Sequence, residues 1–427
     1  MNFKKESLVK SLGQLGYIRG VTYRLDAAPV VHYYGGVRYG SPPERWKRAS
    51  PLASDFTYGT LEHPGSCESG AKVCPQREWD GSIKEENWSE DCLQCNIWTP
   101  SGEPPEEGWP VLVFIHGGWL QMGTPNEFTV ASLIAEGSFR GIIVMPAYRL
   151  GVFGFTYSYE LHEEAGLGAS AGNVGFWDQR LALEWVSHNI HHFRGNGDSI
   201  TLSGYSAGAY SVFHQLTYEF SLPNSNIIKR ACMWSNGPGI QPKDAEYAQR
   251  QFEQLMAALN IPSTLSSEEK LSYLRTIPTR TVLVAAMAID LHQFRPTSDE
   301  NIQLMIGECK DEPYMYGMWI APQQNTAASL RQRLLAEYTP DIVDGLFEIY
   351  CPGEKLADRF EDWNTMFGVI YADMQVYRLG RRLIRSIAKQ GGENLLHRYR
   401  IEYRMKCRKA KSKFPEHLKK RHWRIVN

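Results

Sequence analysis

Hydrophobic and polar positions in this chain switch repeatedly between a period of two and a period near 3.6. The segments at 18–23 and 30–34 are apolar at β spacing and predict two strands, and 35–43 reads as a strand end running into a turn. Residues 93–99 predict the next strand. The run Pro110-Val111-Leu112-Val113-Phe114-Ile115 is continuously apolar, as in a strand buried on both faces of a parallel sheet, and Ile142-Ile143-Val144-Met145 repeats the pattern. A long amphipathic helix is predicted over 173–193, with Phe176, Leu181, Leu183, Trp185, Val186 and Ile190 on its buried side. A strand at 199–203 follows, then a helix signalled by Val212, Phe213 and Leu216. Further strands are predicted at 231–235, 302–307 and 396–404, where Tyr399, Ile401 and Tyr403 alternate with charged residues. Residues 243–300 and 325–390 carry helical periodicity. Residues 50–90 carry little of either period and read as a long surface loop. Strands alternating with helices predict an α/β architecture around a mainly parallel sheet.

Composition narrows the class without changing that picture. Over 427 residues, apolar content is 43%, charged content 22% and net charge −1, so no global field selects nucleic acid or an anionic membrane. The first twenty residues lack an apolar core flanked by a cleavage site, and no apolar run spans a bilayer, so a cytoplasmic protein is expected. Eight cysteines are too few for a disulfide scaffold and are expected to be reduced. Cys92-Leu93-Gln94-Cys95 has no partner pair at zinc spacing and leads into a strand, so no metal is expected there. The basic stretch 398–424 is partly strand and has no aromatic stacking platform, so nucleic acid is not an expected partner.

Two stretches carry chemistry. Gly204-Tyr205-Ser206-Ala207-Gly208 lies between a predicted strand and a predicted helix. A serine at such a turn projects its hydroxyl above the sheet edge, and flanking glycines let helix and strand approach. The helix N-terminus turns its free N–H groups toward any negative charge forming beside Ser206. His116-Gly117-Gly118-Trp119 follows the strand 110–115 directly, where glycines allow backbone N–H groups to face a cavity and hold an oxyanion. Asp178 and Gln179 read as hydrogen-bonding groups near a helix start, not as catalysts.

Taken together, Gly36-Val37-Arg38-Tyr39 with Pro42-Pro43, Ser89-Glu90-Asp91-Cys92-Leu93, His116-Gly117-Gly118, Tyr148-Arg149-Leu150-Gly151, Gly172-Asn173 with Asp178-Gln179, and the serine turn resemble the type-B carboxylesterase/cholinesterase family from about residue 15 to about 405. The later segments are most similar to fungal intracellular members. The resemblance implies a single α/β-hydrolase domain over 1–427, with an N-terminal β meander, helices on both faces of the sheet and a C-terminus shorter than usual. It implies hydrolysis of small-molecule carboxylic esters through an acyl-enzyme, without metal or cofactor. Ser206 is then the nucleophile, and Gly118, Trp119 and Ala207 supply oxyanion N–H groups, with Gly117 shaping the loop. Glu312, in Gly307-Glu308-Cys309-Lys310-Asp311-Glu312, falls on the position of the triad acid, and Asp311 is its structural neighbour.

The base must follow the acid in the family's order, which leaves His397, His417 and His422. His422 has the matching spacing from Phe414, His417 stands behind it, and His397 opens a strand. The chain departs from the family pattern at Tyr205, where Glu is usual, and at Trp119, where a third glycine is usual. Cys67 and Cys92 resemble a disulfide of secreted members. A non-catalytic, cholinesterase-like binding protein or a truncated inactive hydrolase is the alternative to an enzyme. Substrate identity and oligomeric state stay open.

Overall fold

The computed structural model describes residues 1–41, 43–86, 88–166, 171–222, 225–235, 243–296, 317 and 321–377, with 376 by backbone only, and the backbone of 306–309, 398–401 and 425–426. The chain divides into two compact units, Met1–Ala231 with Pro242–Ile302, and Cys232–Gln241 with Gln303–Asn427.

In the first unit, strands β1 (Lys4–Ser11), β2 (Tyr17–Leu25) and β3 (Ala28–Arg38) form an antiparallel meander, with β4 (Gly65–Ser66) beside β2. Next come β5 (Gln94–Pro100), β6 (Trp109–Ile115), β7 (Ile142–Pro146), β8 (Gly195–Tyr205) and β9 (Ile228–Trp234). The order across the sheet is β1-β2-β3-β5-β7-β6-β8-β9. Pairing is antiparallel from β1 through β7 and parallel where β6 meets β7 and β8. The helices of this unit are α1 (Ala131–Ala135), α2 (Gly151–Gly154), α3 (Tyr159–Ala165), α4 (Val174–Asn189), α5 (Ala207–Ser221), α6 (Ala245–Ala258), α7 (Ser267–Thr276) and α8 (Thr279–Ala288).

The core follows from the strand pattern. Val111, Val113 and Ile115 of β6 are fully buried, while Leu112 and Phe114 on its other face are partly buried against a cluster of Tyr23, Val31, Tyr33, Trp98, Ala131, Ile134, Ile143 and Met145. Both faces of β6 are therefore covered, one more completely than the other. All five residues of β7 are buried. The register places Ile115, the last residue of β6, opposite Gly204 of β8. Because the strands are parallel, the chain leaving β6 and the chain leaving β8 emerge side by side at the same sheet edge.

Several expectations need amendment. β1 carries no readable period because it is an exposed edge strand of sequence KKESLVKS, and charges on an edge discourage further pairing. The helix expected over 173–193 ends at Asn189, and Ile190–Phe193 tightens into a 3₁₀ turn. The segment 50–90 is loop-like, but it is not all surface: Cys67, Ala71, Cys74 and Gln76 are buried. The helical stretch 243–300 resolves into α6, α7 and α8, with Asp244 capping α6 and a Ser266/Glu269 capping box opening α7.

In the second unit, Met233 and Trp234 at the end of β9 pair in parallel with β10 (Ile306–Cys309), which pairs in parallel with β11 (Arg398–Ile401). β12 (Ile425–Val426) runs antiparallel to β11. The other residues of the strands expected at 302–307 and 396–404 lie outside the described set, apart from 306–309 and 398–401. Helices α9 (Ala327–Leu335), α10 (Pro340–Tyr350) and α11 (Trp363–Ala372) bury Leu330 and Leu334, Val343 and Phe347, and Met366, Phe367 and Ile370 respectively. Among the described residues no helix is long and apolar enough to cross a membrane.

Candidate active site

Ser206 sits between the last residue of β8 and the first of α5 with φ 55° and ψ −120°. Positive φ is unfavourable for a residue with a Cβ and costs on the order of 1–3 kcal/mol, which the surrounding packing must hold in place. Two glycines make that packing feasible. A Cβ on Gly204 would lie 2.3 Å from the Gly208 backbone, and a Cβ on Gly208 would lie 2.0 Å from the Ile115 carbonyl oxygen. Helix α5 can therefore start directly against the ends of β8 and β6. Its start is pinned from α4: the Ser211 hydroxyl donates to Ala207 O at 3.0 Å, and Gln179 Nε2 donates to that hydroxyl at 3.0 Å. Gln179 is thus the hydrogen-bonding group its position suggested.

The segment leaving β6 wraps against this turn. A Cβ on Gly117 would lie 3.1 Å from Ser206 Cβ and 2.8 Å from Tyr205 O, so only glycine fits. Gly118 (φ 105°), Trp119 (φ 55°) and Leu120 (φ 62°) form three successive residues of positive φ. Among the described residues, no protein group accepts a hydrogen bond from the N–H of Gly118, Trp119 or Ala207. Trp119 stands where the family has glycine and adopts a glycine-like φ. Its ring meets Trp79 edge to face at 5.4 Å.

The loop is braced from β7. Tyr148 Oη donates to His116 O at 3.1 Å, its ring stacks on the His116 imidazole at 4.6 Å, and Gly151 N donates to Leu120 O at 2.7 Å. Arg149, between them, is 3% exposed and makes a forked pair with Asp178, which is fully buried: Nε to Oδ2 at 2.8 Å and Nη2 to Oδ1 at 2.7 Å. Asp178 Oδ2 also accepts the Arg149 backbone N–H at 3.1 Å. The Tyr-Arg-Leu-Gly segment therefore works as a bracket for the loop that carries Gly117, Gly118 and Trp119. Tyr148 and His116 gave no separate signal in sequence, because their roles depend on contacts between β6 and β7.

The cysteines differ from the resemblance. Cys67, Cys74, Cys92 and Cys95 are all buried free thiols. The thiol of Cys92 is pushed up by the neighbouring Cys74 thiol and by burial, with Cys67 not among the causes. The segment from 67 to 76 is partly buried, and Cys74 Sγ accepts from Leu150 N at 3.2 Å. Among the described residues no group of three or more His, Cys, Asp or Glu side chains is placed to hold a metal.

Two histidines are kept neutral. Burial lowers His116 to about 4, partly offset by its bond to Gly117 O at 2.9 Å, which fixes Nδ1 as the protonated nitrogen. Burial also lowers His214, on α5, to about 4; its ring stacks on Phe176 at 4.7 Å, and its Nε2 has no partner among the described residues. A histidine whose folded pKa lies below its unfolded 6.5 contributes stability that is complete above 6.5 and lost as pH falls toward 4. For His116 that loss is roughly 3 kcal/mol. Urea unfolding at pH 7.5 and at pH 5 should show about 2 kcal/mol of it, the remainder following as pH reaches 4. Because phenylalanine keeps the ring stacking of His214, His214→Phe should reduce the fall; an identical pH slope in the variant would contradict the assignment.

Of the residues singled out in sequence, Ser206, Gly117, Gly118, Trp119 and Ala207 come together at the paired ends of β6 and β8. Glu312 and His422 lie outside the described residues, as do Asp311, His397 and His417.

Comparison with known proteins gives the family and the fold. The model of the carboxylesterase family matches residues 7–333. A carboxylic ester hydrolase of Gibberella moniliformis is 40% identical over 440 residues, covering 95% of this chain and 80% of the relative. A Schizosaccharomyces pombe protein described as an uncharacterized esterase/lipase is 37% identical over 435 residues, covering 92% of this chain and 78% of the relative. The crystal structure of Aspergillus niger EstA superposes with a TM-score of 0.71 at 22% identity, over 92% of this chain and 77% of that one, and gives the fold as α/β-hydrolase. On the family match over residues 7–333 and the relatives of 37–40% identity, this chain belongs to the carboxylesterase family and is a carboxylic ester hydrolase of its serine type.

Proposed function

We propose that the chain hydrolyses small-molecule carboxylic esters in two steps through an acyl group carried on Ser206. The observation that carries this reading is the strained Ser206 backbone together with the N–H groups of Gly118, Trp119 and Ala207, which have no acceptor among the described residues. Ser206 Oγ attacks the ester carbonyl carbon while His422 takes the hydroxyl proton. The negative oxygen of the tetrahedral intermediate is held by the three N–H groups, which need no reorganisation as the charge develops. The C–O bond to the alcohol then breaks, and the proton on His422 goes to the leaving oxygen. Water, deprotonated by the same imidazole, repeats the attack on the acyl-enzyme and releases the acid. Glu312 holds the imidazole in the tautomer that leaves one nitrogen free to accept from Ser206. Nucleic acid and membrane have no part in the reading.

The assignment of the base is tested by comparing kcat for His422→Gln, His417→Gln and His397→Gln on a p-nitrophenyl ester. His422→Gln is expected to lose at least about four orders of magnitude, with the other two near wild type. A wild-type rate in His422→Gln would overturn the assignment, and a selective loss in His417→Gln would move the base there.

A further inference from the structure

We infer that Gln76 is a positioning residue for the reaction: its side-chain amide clamps the returning limb of the oxyanion loop and thereby aims the donors at Gly118 and Trp119. The inference rests on the assignment of those two residues as oxyanion donors.

Gln76 comes from the buried part of the segment 50–90 and is 8% exposed. It makes a two-point bond with a single peptide residue. Oε1 accepts from Gly123 N at 2.6 Å, and Nε2 donates to Gly123 O at 2.9 Å and to Cys74 O at 3.0 Å. Three partners of fixed polarity leave one orientation for the amide, with oxygen toward the Gly123 N–H. One face of the clamp thus holds its own chain at Cys74 and the other holds Gly123, so the loop is tied to a second buried segment.

Gly123 is where a tie has leverage. The loop folds back on itself: Gly118 O accepts from Gln121 N at 2.9 Å and from Met122 N at 3.0 Å. A Cβ on Gly118 would lie 2.0 Å from Met122 O, and a Cβ on Gly123 would lie 2.4 Å from His116 Nδ1 and 2.5 Å from Gly117 O. The returning limb, Met122 and Gly123, therefore packs backbone to backbone on the outgoing limb, Gly117 and Gly118. Gly123 cannot shift without carrying Gly117 and Gly118 with it. The other ties reach the loop at different places. Tyr148 holds His116 O, Gly151 holds Leu120 O, and Gln121 Nε2 donates to Phe294 O at 2.5 Å. None of these bonds touches Gly123, and among the described residues the side-chain hydrogen bonds to the Gly123 backbone come from Gln76.

An alanine at this position would leave the Gly123 N–H and C=O without their partner and free the limb. A small displacement of donors that act only in the transition state lowers kcat and leaves ground-state binding of substrate nearly unchanged. Gln76→Glu keeps the acceptor but, as a carboxylate, sets an oxygen where Nε2 donates to Gly123 O and Cys74 O, so it should fall in the same direction.

The test is kcat and KM on a p-nitrophenyl ester for wild type, Gln76→Ala and Gln76→Glu, with each preparation normalised by titrating its active serines with a fluorophosphonate. Gln76→Ala is expected to lose about 10- to 100-fold in kcat per titrated serine with KM within about threefold. Its affinity for a trifluoromethyl ketone, which places an oxyanion in the hole, should weaken by a similar factor. A kcat per titrated serine within twofold of wild type in either variant would overturn the inference. So would a loss that lies wholly in KM or in the number of titratable serines, since that is a structural role. If Gln76→Ala does not fold, Gln76→Glu decides by the same criteria. Gly118→Ala separates the two layers of the argument. A normal rate there refutes the oxyanion assignment itself, whereas a loss there beside a normal rate in Gln76→Ala refutes only the role of Gln76.

Discussion

Ser206→Ala is expected to lower kcat for ester hydrolysis by about four to six orders of magnitude without changing the fold. The argument runs from the backbone outward. Ser206 is held at φ 55° by contacts of Gly204 and Gly208 that involve no part of its own side chain, so removing the hydroxyl leaves the turn intact. The oxyanion N–H groups also remain, and they preserve the modest rate that polarising a bound ester can supply. What disappears is the covalent step, and with it the division of one difficult hydrolysis into two easier ones. Parallel measurements of kcat and of the urea midpoint check both halves. A variant with its midpoint unchanged and its rate near wild type would place the nucleophile elsewhere.

Asp178→Ala should produce the largest loss of stability, about 3–5 kcal/mol. Arg149 is 3% exposed, and Asp178 accepts its Nε, its Nη2 and its backbone N–H. Alanine would leave a guanidinium in the interior whose remaining hydrogen-bond acceptor among the described residues is Lys47 O, at 2.7 Å from Nη1. A buried charge stripped of its partner costs far more than the intact pair contributes, because desolvation is no longer compensated. Activity should fall too, since Arg149 lies between Tyr148 and Gly151, the two residues that brace the oxyanion loop. Asp178→Asn keeps an acceptor and should cost less. Urea unfolding measures the effect; a loss below about 1 kcal/mol in Asp178→Ala would mean the pair is not buried as described.

What the sequence could and could not convey divides along physical lines. The central strands were readable because β6 and β7 are covered on both sides and so carry unbroken apolar runs. The serine turn was readable because a tight strand-to-helix turn requires Gly204 and Gly208 at fixed offsets. β1 was not readable: an exposed edge has no buried face to impose alternation, and Lys4, Lys5 and Glu6 look like any solvated segment. The supporting residues were hidden for a different reason. Tyr148, His116 and Gln76 act through contacts with residues 32 to 47 positions away in sequence, down to a single amide meeting a single glycine, and no local pattern encodes that. The free thiols agree with the reduced cysteines expected, whereas the spacing of Cys67 and Cys92 gave no sign that Cys74 is the cysteine acting on Cys92. Trp119 shows the converse: its identity departs from the family, yet its φ of 55° is one that glycine adopts freely, and the proposed oxyanion role needs only its N–H.

The account turns on an activated Ser206, and mass spectrometry of the trapped enzyme tests it most directly. The chain is incubated with a fluorophosphonate, digested and mapped, in parallel with an acid-quenched sample taken during turnover of p-nitrophenyl acetate. The account predicts one phosphonyl group and, in the quenched sample, one acetyl group, both on the peptide containing Gly204-Tyr205-Ser206-Ala207-Gly208 and both absent from Ser206→Ala. Ester turnover with no adduct at Ser206, or with the adduct on another residue, would contradict it.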